Sequence, residues 1–263
     1  MATGVLSGMR VVEAAAFVAA PLGGMTLAQM GADVIRIDTL GGGLDYRRWP
    51  VTGDNTSLFW CGLNKGKRSV ALDLASAEGR ELAMAIATAP GEDAGLFLTN
   101  FPPRGWLDHD KLRALRPDLI QLTLMGDRHG GSAVDYTVNA RMGVPQFTGA
   151  PGADGPVNHV LPAWDLVTGQ MVAVGLLAAE RHRRRTGEGQ HVKLALQDVG
   201  LAVMNHLVSG GAWAIISPLS SVAVTRSKYP ARCVAAWPLP VAQSQATSRE
   251  GTRVARNAKR SSG

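Results

Sequence analysis

The sequence predicts an α/β fold in which helices cover both faces of a parallel sheet. Two observations lead to this prediction. Short apolar or β-branched runs alternate with helical segments, and 46% of the residues are hydrophobic whereas only 5% are aromatic. The hydrophobic fraction is sufficient for a large core, and the scarcity of aromatic side chains suits closely packed helices. Strands that alternate with helices are typical of parallel sheets, because parallel strands need crossover connections.

The predicted elements follow one another from residue 10 to residue 207. The first three are a strand at 10–13, a helix from Pro21 to Met30 and a strand at ADVIRID. Proline is tolerated in the first turn of a helix, and Gly31 stands where a helix commonly ends. Later strands are predicted at SVALDL, AGLFLTN, DLIQLTLMG and HVKLAL, and later helices at SAEGRELAMAIATA, DHDKLRALRP, LVTGQMVAVGLLAAERHRR and QDVGLAVMNHL.

The net charge of +6 comes from the C-terminal end of the chain. Residues 211–263 contain eight Lys and Arg and a single acid, whereas residues 1–210 contain 19 basic and 20 acidic residues. No period of 2 or 3.6 residues is sustained after residue 210. We therefore divide the chain into a folded domain, 1–210, and a basic tail, 211–263, which we expect to be disordered. Such a tail also suggests nucleic-acid binding as an alternative function.

Several functional classes lack the motifs that they need. The segment after the first strand, AAAFVAAP, does not contain the G-x-G-x-x-G turn of dinucleotide-binding folds, and the G-x-S-x-G elbow of serine hydrolases is missing. The histidines have no metal-binding spacing. Cys61 and Cys233 are too far apart in sequence to suggest a disulfide framework, which favours the cytoplasm. No apolar run predicts a signal peptide or a membrane span.

Asp165 stands in an apolar stretch, LPAWDLVTGQ, at the start of the longest predicted helix. Two interpretations of this carboxylate are open. As an N-cap, it accepts a hydrogen bond from the backbone N–H of Val167 or Thr168. As a nucleophile, it is kept ionised by the helix dipole, and free backbone N–H groups beside it stabilise an oxyanion. The apolar surroundings are unusual for a surface cap.

Two further segments carry polar side chains that suit a ligand. In NKGKRS, Lys67 and Arg68 form a basic turn before a strand, which fits either a bound phosphate or a solvated loop. In TNFPPRG, Asn100 and Arg104 follow a predicted strand. Ligands of open parallel sheets bind at the carboxyl ends of the strands, so both residues are well placed for one.

The order of these motifs resembles that of the class III CoA-transferases, the carnitine-dehydratase-like family. The resemblance covers about residues 5–207, and its most specific part is DLVTGQ, a long Ala/Leu helix, RRTGEGQ and a strand. Other matching segments are GMRVVE, GADVIRID, NKGKRSVALDL, EGRELA, TNFPPRG and LRPDLIQ. The resemblance implies a Rossmann-like parallel sheet with helices on both faces, which is the large domain of these enzymes.

The resemblance also implies roles for particular residues. The family's nucleophilic aspartate falls on Asp165, and its CoA contacts and the basic turn beside CoA fall on Leu72, Asn100, Arg104, Lys67 and Arg68. An arginine that holds CoA in some members is replaced here by Thr39. The family's racemases carry a His in the stretch that reads SAVDYT here, so racemisation is not expected.

The implied reaction moves CoA between carboxylates through an aspartyl-CoA intermediate, as an intramolecular transfer on a C5 dicarboxylate. It needs an acyl-CoA substrate and neither a metal nor a redox cofactor, and we expect no nucleic-acid or membrane partner.

Family members carry a small second domain and form interlocked homodimers, which we do not expect of this chain. The tail looks like translation in a wrong reading frame. The alternatives are therefore an inactive, truncated remnant of such an enzyme and, more distantly, a basic-tailed nucleic-acid-binding protein.

Overall fold

The computed structural model describes residues 4–146, 148–150, 152 and 154–204, together with the backbone of 222–225. The rest of the basic tail, for which the sequence predicts disorder, lies outside these residues, as does the predicted domain boundary at 210. Among the helices that the structure describes, none could span a membrane.

Strands and helices alternate along the chain, as predicted. The strands are β1 (Arg10–Ala14), β2 (Asp33–Thr39), β3 (Arg68–Leu72), β4 (Leu96–Thr99), β5 (Ile120–Met125), β6 (Gln190–Ala195) and β7 (Val222–Thr225). The helices are α1 (Ala19–Gln29), α2 (Leu58–Leu63), α3 (Ala77–Ala87), α4 (His109–Leu115), α5 (Asp135–Arg141), α6 (Ala163–Thr186) and α7 (Leu196–Met204). The short elements α2, α5 and β7 are not among those predicted from the sequence.

The strands form one sheet in the order β3-β2-β1-β4-β5-β6-β7. Strands β1 to β6 are parallel to one another, and β7 pairs antiparallel with β6 at the edge. The predicted parallel sheet is thus confirmed. The strand order reverses between β1 and β4, and in sheets of this kind ligands bind beyond the carboxyl ends of the strands at such a reversal.

Helices cover both faces of the sheet, because successive side chains of a strand point to opposite faces. On one face Val11, Leu98 and Leu122 pack in a buried cluster with residues of α1 and α6. On the other face Val12 and Phe97 pack with residues of α3 and α4. The core is therefore formed mainly by the central strands and these four helices.

Glycines allow α1 and α6 to approach each other closely. A Cβ atom added at Gly23 would lie 2.4 Å from Cγ1 of Val172, and one added at Gly169 would lie 2.8 Å from Cδ2 of Leu22. Both distances are too short for carbon atoms that do not share a bond. The position of α6 against the sheet thus requires that residues 23 and 169 have no side chain.

Buried charges join β1 and β2 to the first turn of α1. The carboxylate of Glu13 is fully buried and accepts hydrogen bonds from Nζ of Lys67 at 2.8 and 2.9 Å and from Nη1 of Arg36 at 2.8 Å. Nζ of Lys67 also donates to the Pro21 carbonyl and to Oδ1 of Asn64, at 2.8 Å each. Burial lowers the pKa of Lys67, and the attraction of Glu13 opposes this effect.

Arg36 extends the same group toward β3. Its Nε donates to Oδ1 of Asp38 at 2.8 Å, and its Nη2 donates to the Ala15 carbonyl at 2.8 Å. The other oxygen of Asp38 accepts from the hydroxyl of Ser69 at 2.7 Å. Buried charges are tolerated when they are paired and hydrogen-bonded in this way.

We expect Lys67→Met to lower the free energy of unfolding by about 3–5 kcal/mol, because it removes one partner of the buried Glu13 carboxylate. Arg68→Met is the matched control: Arg68 is the next residue and forms an exposed ion pair with Asp33, a type of pair that contributes about 0–1 kcal/mol. Urea unfolding followed by circular dichroism measures both losses. Equal losses in the two variants would contradict the structural importance of the buried group.

Candidate active site

Asp165 lies in the first turn of α6, at the carboxyl edge of the sheet. The helix begins at Ala163 and leads into β6, so it runs antiparallel to the strands and its start lies beyond their carboxyl ends. The interpretation of Asp165 as an N-cap is wrong. Pro162 occupies the capping position, and its side chain makes no capping hydrogen bond. The side chain of Asp165 is thus not needed to close the first turn.

The missing cap is supplied by Asp135, the first residue of α5. Its Oδ2 accepts hydrogen bonds from the backbone N–H groups of Trp164 at 2.7 Å and Asp165 at 3.0 Å. Sequence analysis missed this role, although SAVDYT was singled out for lacking a His. The available signal was an aspartate at the start of a short polar helix, but nothing in the sequence shows that it caps a different helix.

The pKa of Asp165 is raised to about 7. Burial is the largest cause, repulsion from the carboxylate of Asp135 adds to it, and the positive charge of Arg48 opposes both. This result is contrary to the expectation that the helix dipole keeps the carboxylate readily ionised, because the loss of solvation outweighs the dipole here. A carboxylate of this basicity is ionised above neutral pH and is a better nucleophile than an exposed one.

Arg48 belongs to a loop, residues 40–57, that connects β2 to α2 near the site. Its guanidinium lies 4.3 Å from the ring centre of Phe59 and 5.7 Å from that of Phe17, and Nη1 is 3.1 Å from Oδ1 of Asp45. The other oxygen of Asp45 accepts from the backbone N–H of Phe17, which has a positive φ of 67°. These contacts hold a cation near the carboxylate of Asp165, and sequence analysis did not single out Arg48.

The structure places three of the predicted CoA contacts at the same edge as Asp165. Leu72 is the last residue of β3, whereas Asn100 and Arg104 follow β4. Oδ1 of Asn100 accepts from the backbone N–H of Ala16 at 3.0 Å, and its Nδ2 donates to the Ala16 carbonyl at 2.9 Å. Asn100 thus fixes the β1–α1 connection, and Arg104 is exposed.

Lys67 and Arg68, the predicted basic turn beside CoA, make their contacts within the domain. Lys67 immediately precedes β3, and Arg68 is the first residue of that strand. The ammonium of Lys67 is enclosed by the buried charged group described above. Arg68 donates two hydrogen bonds to Asp33, at 2.7 and 2.6 Å. Their positive charges are used within the domain.

Two further observations concern ligands. Thr39, which replaces the CoA-binding arginine of some class III CoA-transferases, ends β2 at the carboxyl edge and donates its hydroxyl hydrogen to the Gly42 carbonyl at 2.9 Å. In the part of the chain that the structure describes, no group of three or more His, Cys, Asp or Glu side chains is arranged to hold a metal ion.

The fold agrees with the comparisons with known proteins. The chain belongs to CoA-transferase family III, whose family model matches residues 6–215. That match extends past residue 207, where the resemblance noted in the sequence stops. A crystal structure of a CaiB/BaiF family protein from Brucella suis aligns with a TM-score of 0.69 and 29% identity, over 80% of this chain and 59% of that one.

Two curated relatives carry names that specify a reaction. The 2-methylfumaryl-CoA isomerase of Chloroflexus aurantiacus is 66% identical over 205 residues, which is 78% of this chain and 50% of that protein. The succinate–glutarate CoA-transferase of Agrobacterium fabrum is 36% identical over 226 residues, which is 78% of this chain and 55% of that protein. The chain thus spans about half the length of the curated relatives that it matches.

The raised pKa of Asp165 predicts that ionisation of its carboxyl group lowers the free energy of unfolding at neutral and higher pH. The pKa is about 7 in the folded protein and 3.8 for an ordinary Asp, so its stabilising contribution is present below pH 3.8 and is lost as the pH rises to 7. Asp165→Asn should therefore be more stable than the wild type at pH 8, by at most about 4 kcal/mol. Near pH 4 the two proteins should be equally stable.

Urea unfolding of both proteins at pH 4 and pH 8 measures this difference. The other titratable groups are shared by the two proteins, so the effects of those that do not interact with Asp165 cancel in the comparison. An advantage of Asp165→Asn that is no larger at pH 8 than at pH 4 would contradict the raised pKa.

Proposed function

We propose that the chain forms the CoA-binding domain of an acyl-CoA transferase in which Asp165 is the nucleophile. The observation that carries this proposal is a half-buried carboxylate with a pKa of about 7 in the first turn of α6, at the carboxyl edge of a parallel sheet. Membership of CoA-transferase family III supports it. Leu72, Asn100 and Arg104 lie at the same edge and are proposed to contact CoA.

The first half of the reaction moves CoA to the enzyme. An oxygen of Asp165 attacks the thioester carbonyl, the C–S bond breaks, and CoA leaves as a thiolate, which produces a mixed anhydride. The thiolate then attacks the carbonyl carbon of Asp165. This step releases the acyl group as a carboxylate and leaves an aspartyl-CoA thioester.

The second half returns CoA to a carboxylate. The accepting carboxylate attacks the aspartyl-CoA carbonyl and expels the thiolate, and a new anhydride forms. The thiolate attacks the substrate carbonyl of that anhydride, and Asp165 is regenerated as a carboxylate. Arg48, beside the reactive carboxylate, offsets the negative charge that accumulates when Asp165 and the anionic groups of the substrate come together.

We further propose that the donor and acceptor carboxylates belong to one C5 dicarboxylate, so that CoA moves between the two ends of a 2-methylfumaryl (mesaconyl) group. The support is the 66% identity to the isomerase of Chloroflexus aurantiacus. An intramolecular acceptor does not leave the site between the two half-reactions, which favours its attack over that of a second molecule. No cofactor beyond the CoA thioester is part of this proposal, and we place the reaction in the cytoplasm.

Asp165→Asn and Asp165→Ala should each lower the rate of isomerisation by at least about 1000-fold, because both remove the nucleophile. The matched control is Asp110→Asn, since Asp110 also lies in the first turn of a helix, α4, but is exposed. The assay supplies mesaconyl-C1-CoA and follows the C4 isomer and free CoA by chromatography. Full activity in Asp165→Asn would refute the assignment of the nucleophile.

A trapping experiment tests the nucleophile without requiring a complete turnover. The chain is incubated with the acyl-CoA and hydroxylamine, which converts an aspartyl anhydride or thioester to a hydroxamate. Mass spectrometry of peptides should locate the modification at Asp165 and nowhere in Asp165→Asn. Release of CoA without isomer would favour the alternative that the chain binds acyl-CoA but does not complete the transfer.

A further inference from the structure

Asp135 closes the first turn of the helix that carries the reactive carboxylate. The first four N–H groups of a helix have no partner within the helix. Two of those in α6, on Trp164 and Asp165, donate to the same oxygen of Asp135, at 2.7 and 3.0 Å. The backbone of Asp165 itself is therefore anchored to α5.

The capping side chain is a charged group in a place where a neutral one would suffice. Asp135 is buried, with 2% of its surface exposed. None of the described residues donates a hydrogen bond to its Oδ1, although that atom is buried. An unpaired buried oxygen is costly, and Asn or Ser closes a helix start equally well. The negative charge is thus not explained by capping alone.

The neighbouring polar side chains join α5 to the start of α6 without neutralising the charge of Asp135. Oδ1 of Asn139, one turn along α5, accepts from Nε1 of Trp164 at 3.0 Å and lies 3.0 Å from Nε2 of His159. The Nδ2 group of Asn139 donates to Asn158. Two charged groups act on Asp165: Asp135 repels its carboxylate and Arg48 attracts it. His159 contacts Asn139.

We propose that Asp135 is a positioning residue that holds Asp165 at the start of α6 and activates its carboxylate by charge repulsion. The second part rests on the proposed function. During attack on the thioester, negative charge leaves the Asp165 carboxylate, on which the repulsion from Asp135 acts, and passes to the thioester oxygen and then to sulfur. The repulsion is therefore greater in the bound substrate complex than in the transition state, which lowers the barrier.

The decisive variant is Asp135→Asn, which keeps an oxygen to accept both N–H groups but removes the charge. The protein is labelled with carbon-13 at its aspartate carboxyls, and the Asp165 signal is assigned by its loss in Asp165→Asn. We expect the pKa of Asp165 to fall by about one unit or more in Asp135→Asn, since a like charge nearby raises the pKa of a carboxyl. This titration needs no turnover, so it tests the proposal even if the proposed reaction is not observed.

The kinetic consequence is that kcat and its pH dependence change while KM does not. In Asp135→Asn the acid limb of the pH–rate profile should move to lower pH by the same amount as the pKa. The plateau kcat should fall by roughly threefold to tenfold, because a less basic carboxylate is a weaker nucleophile, whereas KM should change little. A purely structural cap would alter stability but would leave the position of the acid limb unchanged.

The matched control is Asp108→Asn, because Asp108 caps α4 by accepting from the backbone N–H of Lys111 at 3.1 Å. It should leave the pKa of Asp165 and the pH–rate profile unchanged. Should Asp135→Asn fail to fold, Asp135→Ser provides the same test, since Ser is a good cap without charge. An unchanged or raised pKa of Asp165 in a folded Asp135 variant overturns the proposal.

Discussion

The contact between α1 and α6 determines where the carboxylate of Asp165 lies. Because Gly23 and Gly169 carry no side chain, the two helices meet closely on one face of the sheet. The far end of α6 is fixed as well, since Nη1 of Arg183 donates to the Ala94 carbonyl just before β4. A helix held along its side and at its end presents its first turn, with Asp165, at a defined place beyond the strands.

The sequence predicted the sheet, the long helix and the place of Asp165 at its start because each depends on a local pattern. The contacts of Lys67 do not follow from a local pattern. Its partners Glu13 and Pro21 lie in β1 and α1, far from it in sequence. The motif NKGKRS indicates a basic turn, but only the complete fold shows that its second lysine is enclosed.

The residues that set the chemistry of Asp165 were not predictable in the same way. Asp135 acts on a helix that begins 28 residues later, and Arg48 approaches from a loop more than 100 residues earlier. Neither pairing leaves a period or a spacing in the sequence. The pKa of Asp165 was also misjudged for this reason, since the helix dipole is a local effect and burial is a property of the complete fold.

The buried group of Glu13, Asp38, Arg36 and Lys67 contains two acids and two bases, so its formal charges cancel. This balance constrains how the family diverges. A relative that loses one of these charges retains an unpaired charge in its core unless the opposite partner changes as well. We therefore expect the four positions to change together, so that a chimaera that takes β1 from one family member and the turn before β3 from another must exchange matching partners.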